Sequence, residues 1–471
     1  MESWEDRPKE ACGVFGIYGH PDAVHLTYLG LYALQHRGEE SAGIVSTDGK
    51  KMYAHRGMGL VADVFNENFL SNLKGHTAIG HTRYSTTGSS LLKNAQPLLV
   101  DYSRGSLAVG HNGNLVNADV LRAELEAHGS IFQTTVDSEI ILHLMANPRY
   151  VRRDEALLDI LKRIKGAFTL VLLTEDEMMG VRDPNGFRPL CLGRIDGAYV
   201  LASETCALDL IGATFIREIE PGEAVFIDAK GLRSVKAFLP AEVKPSHCIF
   251  EHVYFARPDS VIFGENVHQV RQNLGRQLAR EHPAEADIVI PVPDSGNSAA
   301  LGYSMESGIP FEFGMTRNHY VGRTFIQPTQ NIRDFKVKVK FNPIREVLKG
   351  RRIVLVDDSI IRGTTSKARV KSLFDMGAKE VHLRVSCPPS RHPCFYGIDF
   401  PTQKELIAVN HTVEEIQKFL GVTSLGYLSI EGLLAAVKGP KENYCTACFS
   451  GKYPVDFGGE GDKYSLERSK C

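Results

Sequence analysis

The rhythm of strands and helices changes once along this chain, near residue 245, and that change restricts it to two differently built units. Residues 12 to about 240 are dense in short apolar runs, among them CGVFGIYG, SAGIVST, AFTLVLL, GAYVLAS and EAVFIDA, separated by Gly, Asn and Asp turns. Helical spacing interrupts these strands at His25 to Gln35, Ala118 to Ala127, Ser138 to Met145 and Glu155 to Ile164. The pattern predicts an α+β unit whose sheets need helical cover. From about 250 onward, strand runs alternate with helices: Asn266 to Arg280, DIVIPVP, Ser298 to Ser307, FEFGM, Pro343 to Lys349, RIVLVDD, Ser366 to Met376 and VHLRVS. Such alternation needs crossover connections and predicts an α/β unit with a parallel sheet. The linker is expected between Pro240 and Pro245, which flank a short polar segment. Thr316 to Phe341, rich in Arg, Lys, Gln and Asn without a period, reads as a lid. The polar, Gly-rich stretch after Pro454 reads as a loosely packed tail.

Composition narrows the function classes. The 471 residues carry 54 Lys plus Arg against 56 Asp plus Glu, a net charge of -2, so no global basic field exists to gather nucleic acid or anionic lipid. The N-terminal MESWEDRPKE is acidic, and no apolar run approaches the roughly 18 residues that span a bilayer. A cytoplasmic protein without membrane or nucleic-acid partners is expected. Nine cysteines at uneven spacing do not read as a disulfide framework, which leaves metal binding or catalysis. Only Cys445 and Cys448 form a C-x-x-C.

Two segments in the second half suit a phosphate ligand. Ile353 to Ser366, IVLVDDSIIRGTTS, runs from a buried strand into a helix opened by Gly363, Thr364, Thr365 and Ser366, whose amides and hydroxyls make an anion cradle. Asp357 and Asp358 fall at the strand's carboxyl end, where carboxylates can hold ribose hydroxyls or Mg²⁺. Each feature alone also fits an Asp-Asp turn followed by a threonine helix cap. Together they resemble the signature of type I phosphoribosyltransferases, which bind 5-phosphoribosyl 1-pyrophosphate. Upstream, IPVPDSGNSAALG at Ile290 to Gly302 resembles that superfamily's pyrophosphate loop, which implies contacts from Asp294, Ser295 and Gly296.

Cys12, opening CGVFGIYG, would by itself read as a core residue. With HTRYSTTG at His81 to Gly88, HNGNL at His111 to Leu115 and TTVDSE at Thr134 to Glu139, however, it resembles the class II glutamine amidotransferase domains of the N-terminal-nucleophile hydrolases. That resemblance implies an αββα sandwich over residues 12 to 240 and removal of Met1 to Ala11 as a propeptide. A cysteine at a processed N-terminus carries an α-amine of pKa about 8 that can accept its thiol proton. The resemblance further implies that Asn112 and Gly113 stabilise an oxyanion, and that Arg83 and Asp137 pair with the glutamine α-carboxylate and α-ammonium. The HNGN segment is equally a tight turn, and both readings can hold at once.

Both sets of motifs in one chain resemble the glutamine phosphoribosylpyrophosphate amidotransferase family, which begins purine synthesis. The resemblance implies glutamine and 5-phosphoribosyl 1-pyrophosphate as substrates, purine nucleotides as feedback inhibitors and a homotetramer. It assigns Mg²⁺ to Ser295, Asp357 and Asp358, the transferase domain to residues 250–455, the tail to 456–471, and the closing loop to Tyr320 to Gln330. Within SHCIFEHVYFARPDS, HPCFYGID and NYCTACFSG, Cys248, Cys394, Cys445 and Cys448 match the subgroup that holds a [4Fe–4S] cluster. Zinc in a Cys₄ site is the physical alternative, since spacing does not separate the two. A non-enzymatic sensor of phosphoribosyl pyrophosphate and a transferase using a different acceptor are the competing functions.

Overall fold

The computed structural model describes residues 12–84, 88–318, 341–399, 403–456 and 466. Met1 to Ala11, most of the expected lid with its YVGRTFIQPTQ motif at Tyr320 to Gln330, and Cys471 lie outside them.

Two antiparallel sheets face each other in the first half. One has seven strands, in the order Thr214–Glu218, Cys191–Ile195, Ala198–Ala202, Gly13–Tyr18, Thr77–Arg83, Ser41–Thr47 and Met52–Met58. The other has six: Gly231–Lys236, Glu223–Asp228, Met178–Arg182, Gly166–Leu173, Gly105–Leu115 and Leu98–Tyr102. Val14, Val45, Ile79, Ala108, Val171 and Leu201 fill the space between them. The helices Ala23–Ala33 and Thr205–Ile211 cover the outer face of the first sheet, and Ala118–Ala127, Ser138–Met145 and Arg153–Leu161 cover the second. The result is the αββα sandwich. Because both faces of the inner strands are covered, Gly166–Leu173 is buried at every position, which explains why GAFTLVLL reads as a continuous apolar run instead of alternating.

The second half holds a parallel sheet of four strands, Ile288–Pro291, Arg352–Asp357, Glu380–Val385 and Ser424–Tyr427, in that order. Its helices Val267–Glu281, Asn297–Ser307 and Thr364–Asp375 share one core with these strands. FEFGM does not form the expected strand: Phe311 makes one isolated bridge to Val289, and the regular strand begins only at Met315. The expected helix at Pro343 to Lys349 shrinks to one turn, Arg345–Leu348. Pro343 instead closes the short strand Phe341–Pro343, paired opposite Met315, so the chain is held extended until Ile344. Leu466, in the stretch expected to be loose, packs against the core under the second sheet.

The halves touch through buried polar and aromatic contacts. Asn114 Nδ2 donates to the carbonyl of Phe395 at 3.0 Å, and the rings of Phe187 and Tyr396 stack with centroids 4.4 Å apart.

Candidate functional site

Cys12 sits at the entrance of the strand Gly13–Tyr18, whose pairing opposite Thr77–Arg83 brings it beside Arg83. It is buried, and its Sγ donates to the carbonyl of Tyr84 at 3.4 Å. Burial pushes the thiol above its ordinary value, while the nearby Arg83 charge pulls it down. A neutral resting thiol follows, which needs a base before it can attack. Arg83 is itself buried and donates to the carbonyls of Ser89 and Gly88.

The facing sheet supplies the other groups. Asn112 and Gly113 lie in the strand Gly105–Leu115, opposite Thr169 and Phe168. His81 Nε2 lies 2.9 Å from the carbonyl of His111, tying the Arg83 strand to the Asn112 strand across the sandwich. Asn112 is fully buried, yet neither its side-chain nitrogen nor its oxygen has a hydrogen-bond partner among the described residues. An unpaired buried amide costs about 1–3 kcal/mol, so its retention points to a ligand that pairs with it. At Gly113 a side chain is excluded, because a Cβ would lie 2.1 Å from the carbonyl oxygen of Ala167. Asp137, at the start of the helix Ser138–Met145, accepts from the Leu115 amide at 2.8 Å. Burial raises its carboxyl, but His111, the Leu115 amide and the Ser138 hydroxyl more than offset this and hold it below the usual range. Its charge and that of Glu40 both reach Cys12. The arrangement offers a thiol, a cation, an anion and an unpaired amide donor around one point, which suits attack on the side-chain amide of an amino acid.

The phosphate residues gather at the carboxyl edge of two neighbouring parallel strands. Asp357 ends the strand Arg352–Asp357 and Asp358 follows it, and both are buried. Asp357 pairs with Arg369 at 2.7 Å, and the Asp358 amide donates back to Asp357 at 3.0 Å. Asp358 Oδ2 is buried without a partner. Gly363, in a left-handed conformation, leads into the helix Thr364–Asp375, so Thr364, Thr365 and Ser366 form its first turn. Asp294, Ser295 and Gly296 follow the adjacent strand Ile288–Pro291, and the Val292 amide donates to Val356 at 2.8 Å, locking the two loops together. Ser295 Oγ is another buried atom without a partner, while Asp294 is half exposed and pairs with Arg317 at 2.9 Å. These two oxygens, Asp358 Oδ2 and Ser295 Oγ, in adjacent loops, lack protein partners among the described residues, and a cation with its phosphate ligand would supply them.

The four cysteines Cys248, Cys394, Cys445 and Cys448 come from three distant segments. Parallel pairing of His247–Cys248 with Tyr444–Cys445 places Cys248 directly opposite Cys445. Each of the four thiols is raised by burial, with Cys248 and Cys394 adding to the rise at Cys445, and Cys248, Cys445 and Cys394 to that at Cys448. None is in a disulfide. Among the described residues no three His, Cys, Asp or Glu side chains converge tightly enough for a single metal ion. Cys191, Cys206 and Cys387 pack in the core as small apolar residues.

Sequence reasoning overlooked a buried charge cluster beside Cys12. Arg37 Nε donates to the carbonyl of Cys12 at 3.1 Å and pairs with Glu204 at 2.5 Å and Glu251 at 2.7 Å. Arg188 also pairs with Glu251, at 3.0 Å. The available signal was HRG immediately before a strand, but an arginine in sequence reads as surface by default.

Comparison with known proteins covers both halves. A glutamine amidotransferase domain family matches residues 81–210. The chain is 50% identical over 452 residues to the amidophosphoribosyltransferase of Bacillus subtilis, spanning 95% of this chain and 94% of that one. It is 53% identical over 454 residues to the chloroplastic amidophosphoribosyltransferase of Glycine max, spanning 96% of this chain and 79% of the relative. The solved B. subtilis glutamine phosphoribosylpyrophosphate amidotransferase, complexed with ADP and GMP, superposes with a TM-score of 0.91 at 49% identity, over 95% of this chain and 98% of that one. A second solved structure, described as the allosteric regulatory enzyme of purine biosynthesis, gives a TM-score of 0.92 at 50% identity, over 95% of this chain and 97% of that one.

Proposed function

This chain belongs to the amidophosphoribosyltransferase family, and from that premise we propose how its residues divide the reaction. The enzyme takes nitrogen from glutamine and places it on 5-phosphoribosyl 1-pyrophosphate, yielding 5-phosphoribosylamine, glutamate and pyrophosphate at the start of purine synthesis. Within it, Cys12 is the nucleophile, exposed by removal of Met1 to Ala11. Its thiol proton passes to its own α-amine, and the thiolate attacks the glutamine side-chain carbonyl. Asn112 Nδ2 and the Gly113 amide donate to the oxyanion, Arg83 holds the α-carboxylate and Asp137 the α-ammonium. The carbon–nitrogen bond breaks, ammonia leaves with the stored proton, and water hydrolyses the thioester to glutamate.

Ammonia then attacks the anomeric carbon, and pyrophosphate departs with the electron pair of the broken carbon–oxygen bond. Transfer within the protein keeps the lone pair unprotonated. The Thr364 to Ser366 turn, with Gly363, cradles the 5-phosphate, Asp357 and Asp358 face the ribose, and Asp294 to Gly296 face pyrophosphate. Ser295, Asp357 and Asp358 would hold Mg²⁺, which would offset the pyrophosphate charge.

The observation that carries this division is the buried Asn112 amide, unpaired at both atoms beside a glycine that admits no side chain. Glutamine, 5-phosphoribosyl 1-pyrophosphate and Mg²⁺ supplied together should yield glutamate and pyrophosphate, and omission of either substrate should stop pyrophosphate release. Intact mass of the active protein should lack residues 1–11, and full glutaminase activity from a chain retaining them would contradict the role of the α-amine.

For Cys248, Cys394, Cys445 and Cys448 the proposed group is [4Fe–4S], in a structural role that joins the start of the transferase domain to its end. What supports it is the donor chemistry: none of the four thiols is in a disulfide and Cys248 pairs directly opposite Cys445, although the described side chains do not converge on a single-ion position. Anaerobically purified protein should be brown with about four iron and four sulfide per chain. Colourless active protein containing zinc would reject the cluster. Feedback by purine nucleotides rests on likeness to the B. subtilis enzyme complexed with ADP and GMP, and is tested by adding AMP and GMP to the assay. A homotetramer in the cytoplasm completes the proposal, with sedimentation equilibrium as the check of assembly.

A further inference from the structure

The buried charge cluster reaches both ends of the glutaminase machinery from one residue of the other half. Glu251 is fully buried and accepts from Arg37 at 2.7 and 2.9 Å and from Arg188 at 3.0 Å. Through Arg37 it fixes the backbone carbonyl of Cys12, to which Arg37 Nε donates. Through Arg188, whose second nitrogen donates to the Tyr396 carbonyl at 3.1 Å, it fixes the turn Phe395 to Gly397. That turn lies against the strand of Asn112 and Gly113. Asn114 Nδ2 donates to Phe395, and Gly397, at φ +101°, sits so close that an added Cβ would lie 3.1 Å from the Gly113 carbonyl carbon.

We propose that Glu251 is a positioning residue for glutamine hydrolysis, holding Cys12 and the Gly113 strand in register by clamping Arg37 and Arg188 from the transferase domain. The inference rests on the roles given above to Cys12, Asn112 and Gly113, and adds a group that touches neither substrate. Arg37, Arg188, Glu204 and Glu251 all have no solvent-exposed side-chain surface, so the two cations and two anions balance inside the protein. Removing the Glu251 charge leaves Glu204 as the one anion paired with Arg37. Arg37 is then drawn toward Glu204, which already accepts from it at 2.5 Å, and away from the Cys12 carbonyl, while Arg188 loses its only ion-pair partner among the described residues. Small displacements of that kind lower turnover more than they lower binding, because the attack geometry is lost while the α-carboxylate and α-ammonium contacts remain.

The test is Glu251→Gln in the full chain, assayed with glutamine and, separately, with ammonium as nitrogen source. The expected result is a fall of about 10- to 100-fold in kcat for glutamine hydrolysis, with KM for glutamine within about threefold and ammonia-supported synthesis within about twofold of the parent. Gly397→Ala pushes the same turn from its other side and should show the same split, so it carries the test if Glu251→Gln does not fold. Unchanged glutamine turnover in Glu251→Gln, an equal fall in both reactions, or failure of both variants to fold would make the cluster merely structural and overturn the proposal. Cys12→Ala, run alongside, separates the two levels: if it retained glutaminase activity the nucleophile assignment itself would fail, whereas its inactivity beside a normal Glu251→Gln would reject the positioning role alone.

Discussion

The residues proposed for glutamine, Cys12, Arg83, Asn112 and Asp137, come from separate elements of a two-sheet sandwich, whereas those proposed for the phosphoribosyl substrate lie on two loops at the carboxyl end of one parallel sheet. The first site therefore depends on how sheets and domains are stacked, and it is braced by Arg37, Arg188 and Glu251 from outside its own motifs. The second depends mainly on local chain geometry: a strand end, a left-handed glycine and a helix start. Both leave polar atoms unpaired in the interior, Asn112 on one side, Ser295 and Asp358 on the other. In each case the unpaired atom falls on a residue of the proposed substrate motifs, which separates it from unpaired interior atoms elsewhere such as those of His252.

Mutations that separate the two chemistries sharpen this contrast. The largest effect in this group is expected from Asn112→Ala, which removes one oxyanion donor and should lower glutamine kcat about 10²- to 10³-fold, equivalent to about 3–4 kcal/mol, while ammonia-supported synthesis is unchanged. Steady-state rates with the two nitrogen sources check it. Asp358→Asn should act on the other side, lowering synthesis about 10- to 100-fold with either nitrogen source. Ammonia-dependent kinetics equal to the parent's would return the Asp357–Asp358 pair to a simple turn.

A smaller effect concerns one buried histidine in each half. His81 and His252 are both pulled down to about 3, chiefly by burial. In the unfolded chain each titrates near 6.5, so between about pH 6.5 and 3 the unfolded state binds the extra proton. Their contribution to stability is thus complete above about pH 6.5 and lost as pH falls toward 3, with a slope of up to about 1.4 kcal/mol per pH unit for each. His252, whose two ring nitrogens have no partner, lies among Phe263 and Tyr444. His252→Phe should flatten the urea-derived stability profile between pH 4 and 6 by about one proton and leave stability at pH 7 equal or higher. An unaltered slope would show that His252 is not neutral in the folded protein.

Periodicity made much of the frame legible. Ala118–Ala127 and Ser138–Met145 form helices with the expected limits, and the parallel sheet follows from buried runs alternating with amphipathic segments. Where the expectations failed, tertiary context decided: FEFGM supplies only a bridge at Phe311, because the sheet has Ile288–Pro291 as its edge and no full strand adds beyond it among the described residues. The candidate site residues were picked out for a different reason, their order in recognisable motifs. Arg37, Arg188, Glu251 and Arg369 were not, since a buried charge can be recognised only once its counter-charge is near, and Arg37 and Glu251 are 214 residues apart in the chain. No local pattern encodes such a pair.

In the proposed division of labour, glutamine hydrolysis at Cys12 and phosphoribosyl transfer at the Asp357–Asp358 loop are separate chemistries joined in one chain. The most direct measurement is Cys12→Ala, assayed for pyrophosphate release with glutamine and then with ammonium. The expected result is a loss of at least about 10³-fold with glutamine and a rate within about twofold of the parent with ammonium. Loss of both activities in a folded variant, or glutamine-dependent release that survives the substitution, would contradict it.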